Sequence, residues 1–139
     1  ARLFRRAAPP RFRHGGDNPS PPAPLSDLGE LRERLRRFAR ERDWEQFHSP
    51  KNLAMALIAE AAELVEHFQW LTEEQSRALP DGTRAKVADE LADVLVYLVR
   101  IAERLDIDLL AATAAKLAQN EAKYPAAKVR GSPRKYSEY

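Results

Sequence analysis

Two pairs of carboxylates, Glu60/Glu63 and Glu90/Asp93, stand three residues apart inside apolar runs, Leu53 to Val65 and Val87 to Val99. On an α-helix residues three apart are neighbours, so each pair presents its acids side by side. Spacing alone discriminates little, because Glu30/Glu33, Glu63/Glu66 and Glu103/Asp106 repeat it in a chain with 21 acidic residues. Position on the helix carries the signal. At about 100° per residue, Glu60 falls between Leu57 and Leu64, inside the stripe formed with Leu53, and Glu63 lies on the shoulder of that stripe. The second run has its stripe at Val87, Leu91, Val94, Leu98, Ile101 and Leu105, with Glu90, Asp93 and Tyr97 along its edge. The two acidic edges can therefore face each other.

Two like charges about 4 Å apart repel by roughly 4 kcal/mol at an effective dielectric of about 20. Four converging carboxylates must partly protonate or bind cations. Oxygen-only ligands select a hard ion, and Mg²⁺ fits best because it takes a few carboxylates, keeps several waters and accepts phosphate oxygens from a substrate; Mn²⁺ can substitute. A structural calcium site would bring more backbone and amide oxygens from a loop. The alternative is that the acids pair with Lys or Arg across a helical interface. A di-iron bundle, which wants Glu-x-x-His from two of its helices, is not expected with His14, His48 and His67 the only histidines.

At 139 residues without Cys, the chain reads as one domain with no disulfide and no thiolate site. No apolar stretch is long enough to span a bilayer, and no apolar region of the secretory type follows the N-terminal arginines, so the expectation is a soluble, cytoplasmic protein. Ala1 to Pro24 carries five Arg against one Asp, a net of +4, which leaves +2 minus +4, or −2, for the remainder. Six of the ten prolines also fall there. That composition predicts a disordered arm over 1–24, which could alternatively be a weak acidic-surface contact or the remnant of a transit peptide. Residues 25–139 form the expected domain, with no basic stripe for nucleic acid.

The elements that must hold the acids are helical. Ser26 or Asp27 can cap a first helix over 27–42, with Leu28, Leu31, Leu35 and Phe38 at helical spacing. Ser49-Pro50 starts a second, reaching about Gln69. Thr72 to Gln75 reads as a capping box, Pro80-Asp-Gly82 breaks the chain before a third helix over 84–105, Asp108 caps a fourth, and Tyr124-Pro125 ends it. The fold class is thus all-α, a small four-helix bundle. Its two central helices are apolar around much of their circumference, which predicts association. There is no P-loop and no Rossmann fingerprint, so nucleotide chemistry would rely on metal and side chains.

Glu60-x-x-Glu63 followed by Glu90-x-x-Asp93 resembles the signature of the MazG-like all-α nucleoside triphosphate pyrophosphohydrolases. Arg42-Asp-Trp-Glu-Gln-Phe-His48, Pro50-x-Asn52-Leu53, Phe68-Gln69-Trp70, Tyr97, Lys116, Asn120, Tyr124-Pro125 and Arg134-Lys135-Tyr136 are similar to its dCTP pyrophosphatase branch. The resemblance covers about Leu25 to Tyr139. It implies that Glu60, Glu63, Glu90 and Asp93 hold Mg²⁺ against a triphosphate, that water attacks the α-phosphorus and expels pyrophosphate, and that Glu60 or Glu63 takes the proton. It implies that Trp44, Phe47, His48 and Trp70 surround base and sugar, that Tyr97 reaches substrate, and that Lys116 and Asn120 contact phosphate or sugar. Each has a structural alternative: core packing for the aromatics, a local role beside a helix cap for His48, a solvated face for Lys116. A dimer or dimer of dimers is implied too. Two departures stand out: Leu35 replaces a His found in close relatives nine residues before Trp44, and His67 takes a place that is apolar in them. The expected activity is hydrolysis of dCTP or 5-modified dCTP to the monophosphate; a broader nucleotide preference and a non-catalytic helical sensing or dimerisation module are the alternatives.

Overall fold

Pro80 is where the sequence expectation shifts most. It holds an extended backbone at ψ 148°, and the long helix begins immediately after it at Asp81 rather than at 84. The proline alone breaks the chain. Asp81 and Gly82 fit the first turn because an acid favours the positive helix terminus, and Asp81 also pairs with Arg84 one turn on.

The computed structural model describes residues 23–138, and every regular element in them is helical. In order these are α1 (Leu28–Glu41), a 3₁₀ turn (Glu45–Phe47), α2 (Pro50–Glu66), α3 (Glu73–Arg77), α4 (Asp81–Arg104), α5 (Leu109–Lys123), α6 (Ala126–Val129) and a closing 3₁₀ turn (Tyr136–Glu138). The arm expected over 1–24 lies outside the described residues but for its last two. Among the described residues no helix is long and apolar enough to cross a membrane.

The expected caps are in place. Asp27 accepts from Glu30 N at the start of α1, Ser49 from Asn52 N at α2, and Asp108 from Ala111 N at α5. Thr72 and Gln75 close a reciprocal capping box at α3. Helix α2 ends three residues earlier than its pattern suggested, because the His67 and Phe68 amides turn back to Leu64 O and Val65 O, tightening the last turn to 3₁₀ geometry. Helix α6, within the expected polar tail, had no apolar periodicity to announce it.

The described chain divides into two units, one ending at Leu105 and one starting at Asp106. In the first, α4 packs along α2 and, less extensively, against α1. Leu53 of α2 is the largest fully buried side chain, and Leu31, Ala39, Val87, Tyr97, Val99 and Ala102 complete the core. The stripe expected on α4 is only partly the buried one. Leu91, Leu98 and Leu105 are exposed, while Tyr97 and Arg100 take the buried face. Helix α4 contacts both α2 and α1, so its buried face is wider than a single row of Leu and Val. In the second unit α5 stands as one exposed helix, followed by α6.

Candidate functional site

The packing of α4 along α2 brings the acidic edges together. Glu60, Glu90 and Asp93 each offer a carboxylate oxygen, and the three oxygens lie within 4.8 Å of one another. All three side chains are half-buried, a place where clustered negative charge is costly. Glu63, one turn beyond Glu60, is half-buried and lies outside that set of three. The four-carboxylate expectation therefore reaches the structure as three gathered oxygens with a fourth acid alongside in sequence.

The donor set fits a hard divalent cation. Oxygens in one octahedral shell at about 2.0–2.1 Å from Mg²⁺ stand roughly 3 Å apart when adjacent and about 4.2 Å when opposite. The observed spread needs only small side-chain rotation to meet that range. Three carboxylates also leave positions for water or phosphate oxygens.

Two further groups border the cluster. Tyr97 is 4% exposed, and burial, then the charges of Glu60 and Asp93, push its hydroxyl pKa up to about 12. It therefore remains a neutral O–H donor beside the acids. His67 Nε2 lies 3.8 Å from Glu90 Oε1. The residue that departs from close relatives thus stands next to the acidic cluster, which the sequence pattern left open.

The aromatic block is ordered by local contacts. Asp43 adopts a left-handed φ of 52°, a conformation that Asp tolerates better than most residues, and the reversal lets Trp44 N donate to Ala39 O at 2.9 Å. The Trp44 ring meets Phe38 edge to face at 5.6 Å, and its other neighbour is the His48 ring at 6.3 Å. Asn52 Nδ2 donates to Phe47 O at 3.0 Å, tying the 3₁₀ turn to α2. Glu45-Gln-Phe-His48 does have Glu-x-x-His spacing, but once only and in this turn, so the di-iron arrangement is still not met. Of the four expected base contacts, Trp44 and His48 are neighbours, Phe47 is exposed on the same turn, and Trp70 follows α2 at 86% exposure. Lys116 and Asn120 are exposed on α5 in the second unit. Leu35, in place of the relatives' His, is half-buried on α1.

Sequence reasoning missed Arg100. It is 2% exposed; its Nη1 donates to Glu103 at 2.6 Å and its Nη2 lies 3.3 Å from His48 Nδ1. Arg36 Nε of α1 donates to the other Glu103 oxygen at 3.1 Å. The signal was available, since Arg100 interrupts the apolar run from Val94 to Ala102, a position where a charge needs partners.

Comparison with known proteins bears on these residues directly. The model of the MazG-like family matches residues 56–139, a span that holds all four acids and begins after the aromatic block. A protein named dCTP pyrophosphatase 1 from Homo sapiens is 45% identical over 136 residues, covering 95% of this chain and 74% of its own. Its counterpart from Mus musculus is 45% identical over 118 residues, 84% of this chain and 69% of its own. Spans of that length necessarily include Trp44 to His48. Among solved structures, a pyrophosphatase from Archaeoglobus fulgidus superposes with a TM-score of 0.68 at 36% identity, covering 74% of this chain and 96% of that one.

Proposed function

The chain belongs to the MazG-like family, and from that premise we propose that it hydrolyses dCTP, and 5-modified dCTP, to the monophosphate and pyrophosphate. The observation that carries the reading is the meeting of Glu60, Glu90 and Asp93 across two packed helices, in a chain whose curated relatives are named for dCTP pyrophosphatase activity. Those three residues, with Glu63 alongside, hold Mg²⁺, or Mn²⁺ in its place. The ion supplies Lewis acidity and charge neutralisation to the phosphoryl oxygens.

The chain's own residues do the rest. Water forms a new O–P bond at the α-phosphorus, the bridging bond between the α-phosphorus and the pyrophosphate oxygen breaks, and pyrophosphate leaves with that electron pair. Glu60 or Glu63 takes the water's proton. The Tyr97 hydroxyl, kept protonated by burial and by Glu60 and Asp93, is a donor for an anionic or sugar oxygen. Trp44, Phe47 and Trp70 supply flat faces for the base, where stacking is worth roughly 1–3 kcal/mol, and His48 supplies a polar edge. Lys116 and Asn120 contact phosphate or sugar. Helices suit the acids because rigid elements hold ligand geometry better than loops.

The enzyme acts in the cytosol on the nucleotide pool, as a homodimer or homotetramer and without nucleic acid as a partner. Exposed Ile58 and Val65 on α2 and Leu91 and Leu98 on α4 favour association, since large apolar side chains repeated along a helix face are usually covered.

The test is incubation of pure protein with Mg²⁺ and a panel of dNTPs, NTPs and 5-methyl-dCTP, with products separated by anion exchange and Glu60→Gln as the blank. Monophosphate plus pyrophosphate, strongest from cytosine deoxynucleotides, is the expected result. Equal turnover across the panel would replace the cytosine preference with a broad one. Diphosphate plus phosphate, or no product, would overturn the mechanism.

A further inference from the structure

Arg100 places a permanent charge at 2% exposure in the core of the first unit, and its partners are unusual. Glu103 accepts from Nη1, His48 Nδ1 faces Nη2 at 3.3 Å, and Nε is buried with no hydrogen-bond partner. A guanidinium carries donors only and stays protonated in proteins. The ring nitrogen it faces must therefore present a lone pair, which puts the single ring proton of His48 on Nε2. Burial, then the nearby charges of Arg100 and Arg104, lower the His48 pKa, outweighing Glu45 and Glu103. The ring is thus neutral, with Trp44 on one side and with Nε2 free of any hydrogen bond among the described residues.

We infer that Arg100 is a positioning residue that locks His48 as a one-way Nε2–H donor reading the acceptor edge of the substrate base. This deepens the cytosine-nucleotide reading and rests on it. Cytosine presents a lone pair at N3, whereas uracil and thymine present N3–H. A fixed donor pairs with the first and meets the second donor to donor, so it rejects by an unsatisfied contact as well as selecting by a bond.

The experiment uses the full chain. Long-range ¹H–¹⁵N spectra of ¹⁵N-labelled protein without ligand, followed over about pH 5 to 8, should show His48 protonated at Nε2 only, with titration below the ordinary histidine range. In Arg100→Met, where Glu103 keeps Arg36 as a partner, both tautomers should appear and the titration should move up. With Mg²⁺ present, kcat/KM for dCTP relative to dUTP should fall roughly tenfold in Arg100→Met, the size of one hydrogen bond. Arg100→Lys, which still donates, should recover most of it. An Nδ1–H tautomer in the wild type overturns the inference whether or not dCTP is hydrolysed. An unchanged dCTP to dUTP ratio in Arg100→Met, with the tautomer released, overturns the role in base selection. Absence of dCTP turnover by the wild type refutes the proposed activity, and with it base reading, while the spectra still decide the tautomer.

Discussion

Glu60→Gln should make the metal-free protein more stable while removing its activity. Three carboxylate oxygens within 4.8 Å of one another repel pairwise by about 3.5 kcal/mol each at an effective dielectric of about 20. Neutralising Glu60 removes two of the three pairs, about 7 kcal/mol before screening. The groups are half-exposed, and solvent and salt reduce such energies several-fold, so a gain on the order of 1–3 kcal/mol remains. At roughly 3 °C per kcal/mol for a chain of this size, the melting temperature in EDTA should rise by about 3–9 °C. Mg²⁺ should then cancel or reverse the difference. A ligand at a hundredfold its dissociation constant adds about 2.7 kcal/mol to the state that binds it, a gain the wild type receives and the variant largely loses. Thermal unfolding of both proteins, in EDTA and in Mg²⁺, reads all four values. A variant less stable than wild type in EDTA would mean that the favourable contacts of the Glu60 carboxylate outweigh that repulsion, and equal Mg²⁺ shifts in the two proteins would remove Glu60 from the metal site.

Other consequences follow from the core and from the buried charges. Leu53→Ala, at a side chain 1% exposed, should cost about 2–5 kcal/mol, read as a lower urea midpoint with an unchanged slope. Glu103→Ala should cost about 3–5 kcal/mol because it strips Arg100 of its carboxylate, whereas Arg100→Met should stay within about 1 kcal/mol of wild type; equal effects would refute that asymmetry. The depressed pKa of His48, caused first by burial and then by Arg100 and Arg104, means that the unfolded chain binds the proton more readily. Its contribution to stability is complete above the ordinary value of about 6.5 and is lost as pH falls through the lower folded value. Urea unfolding at about pH 7.5 and 5.5 should show a larger loss for wild type than for His48→Gln, and parallel losses would refute that assignment.

How much of this was legible in the sequence depended on the range of the interaction concerned. Caps and breaks are local, and Asp27, Ser49, Thr72 and Asp108 act where their residue types say they should. The acids were legible because a charge inside an apolar stripe is conspicuous whatever the tertiary structure. Their convergence follows once α2 and α4 pack, although the separation of Glu63 from the gathered three does not, since i,i+3 neighbours diverge by about 60° and only the partner helix decides which is nearer. The buried face of α4 was read less well. Its apolar stripe includes exposed Leu91, Leu98 and Leu105, because surface meant for a neighbour and surface meant for the core look alike in periodicity. Arg100 was overlooked for a related reason: its partners, His48 and Arg36 through Glu103, come from distant parts of the chain.

Helix α4 explains why one perturbation can be expected to reach several parts of the site. Glu90, Asp93, Tyr97 and Arg100 follow at steps of three, four and three, which at about 100° per residue confines them to an arc of roughly 80° and spreads them over about 15 Å of helix. The first two face Glu60, the third feels the charges of Glu60 and Asp93, and the fourth holds His48 beside Trp44. One face thus runs from the acids that would gather a cation to the ring that would meet a base, and its length is fixed by helix geometry rather than by loop conformation. A nucleotide has the same polarity, with triphosphate at one end and base at the other. A register change along α4 would therefore displace both ends together, whereas side-chain substitutions at Asp93 and Arg100 should act separately, the first on metal and turnover and the second on base choice.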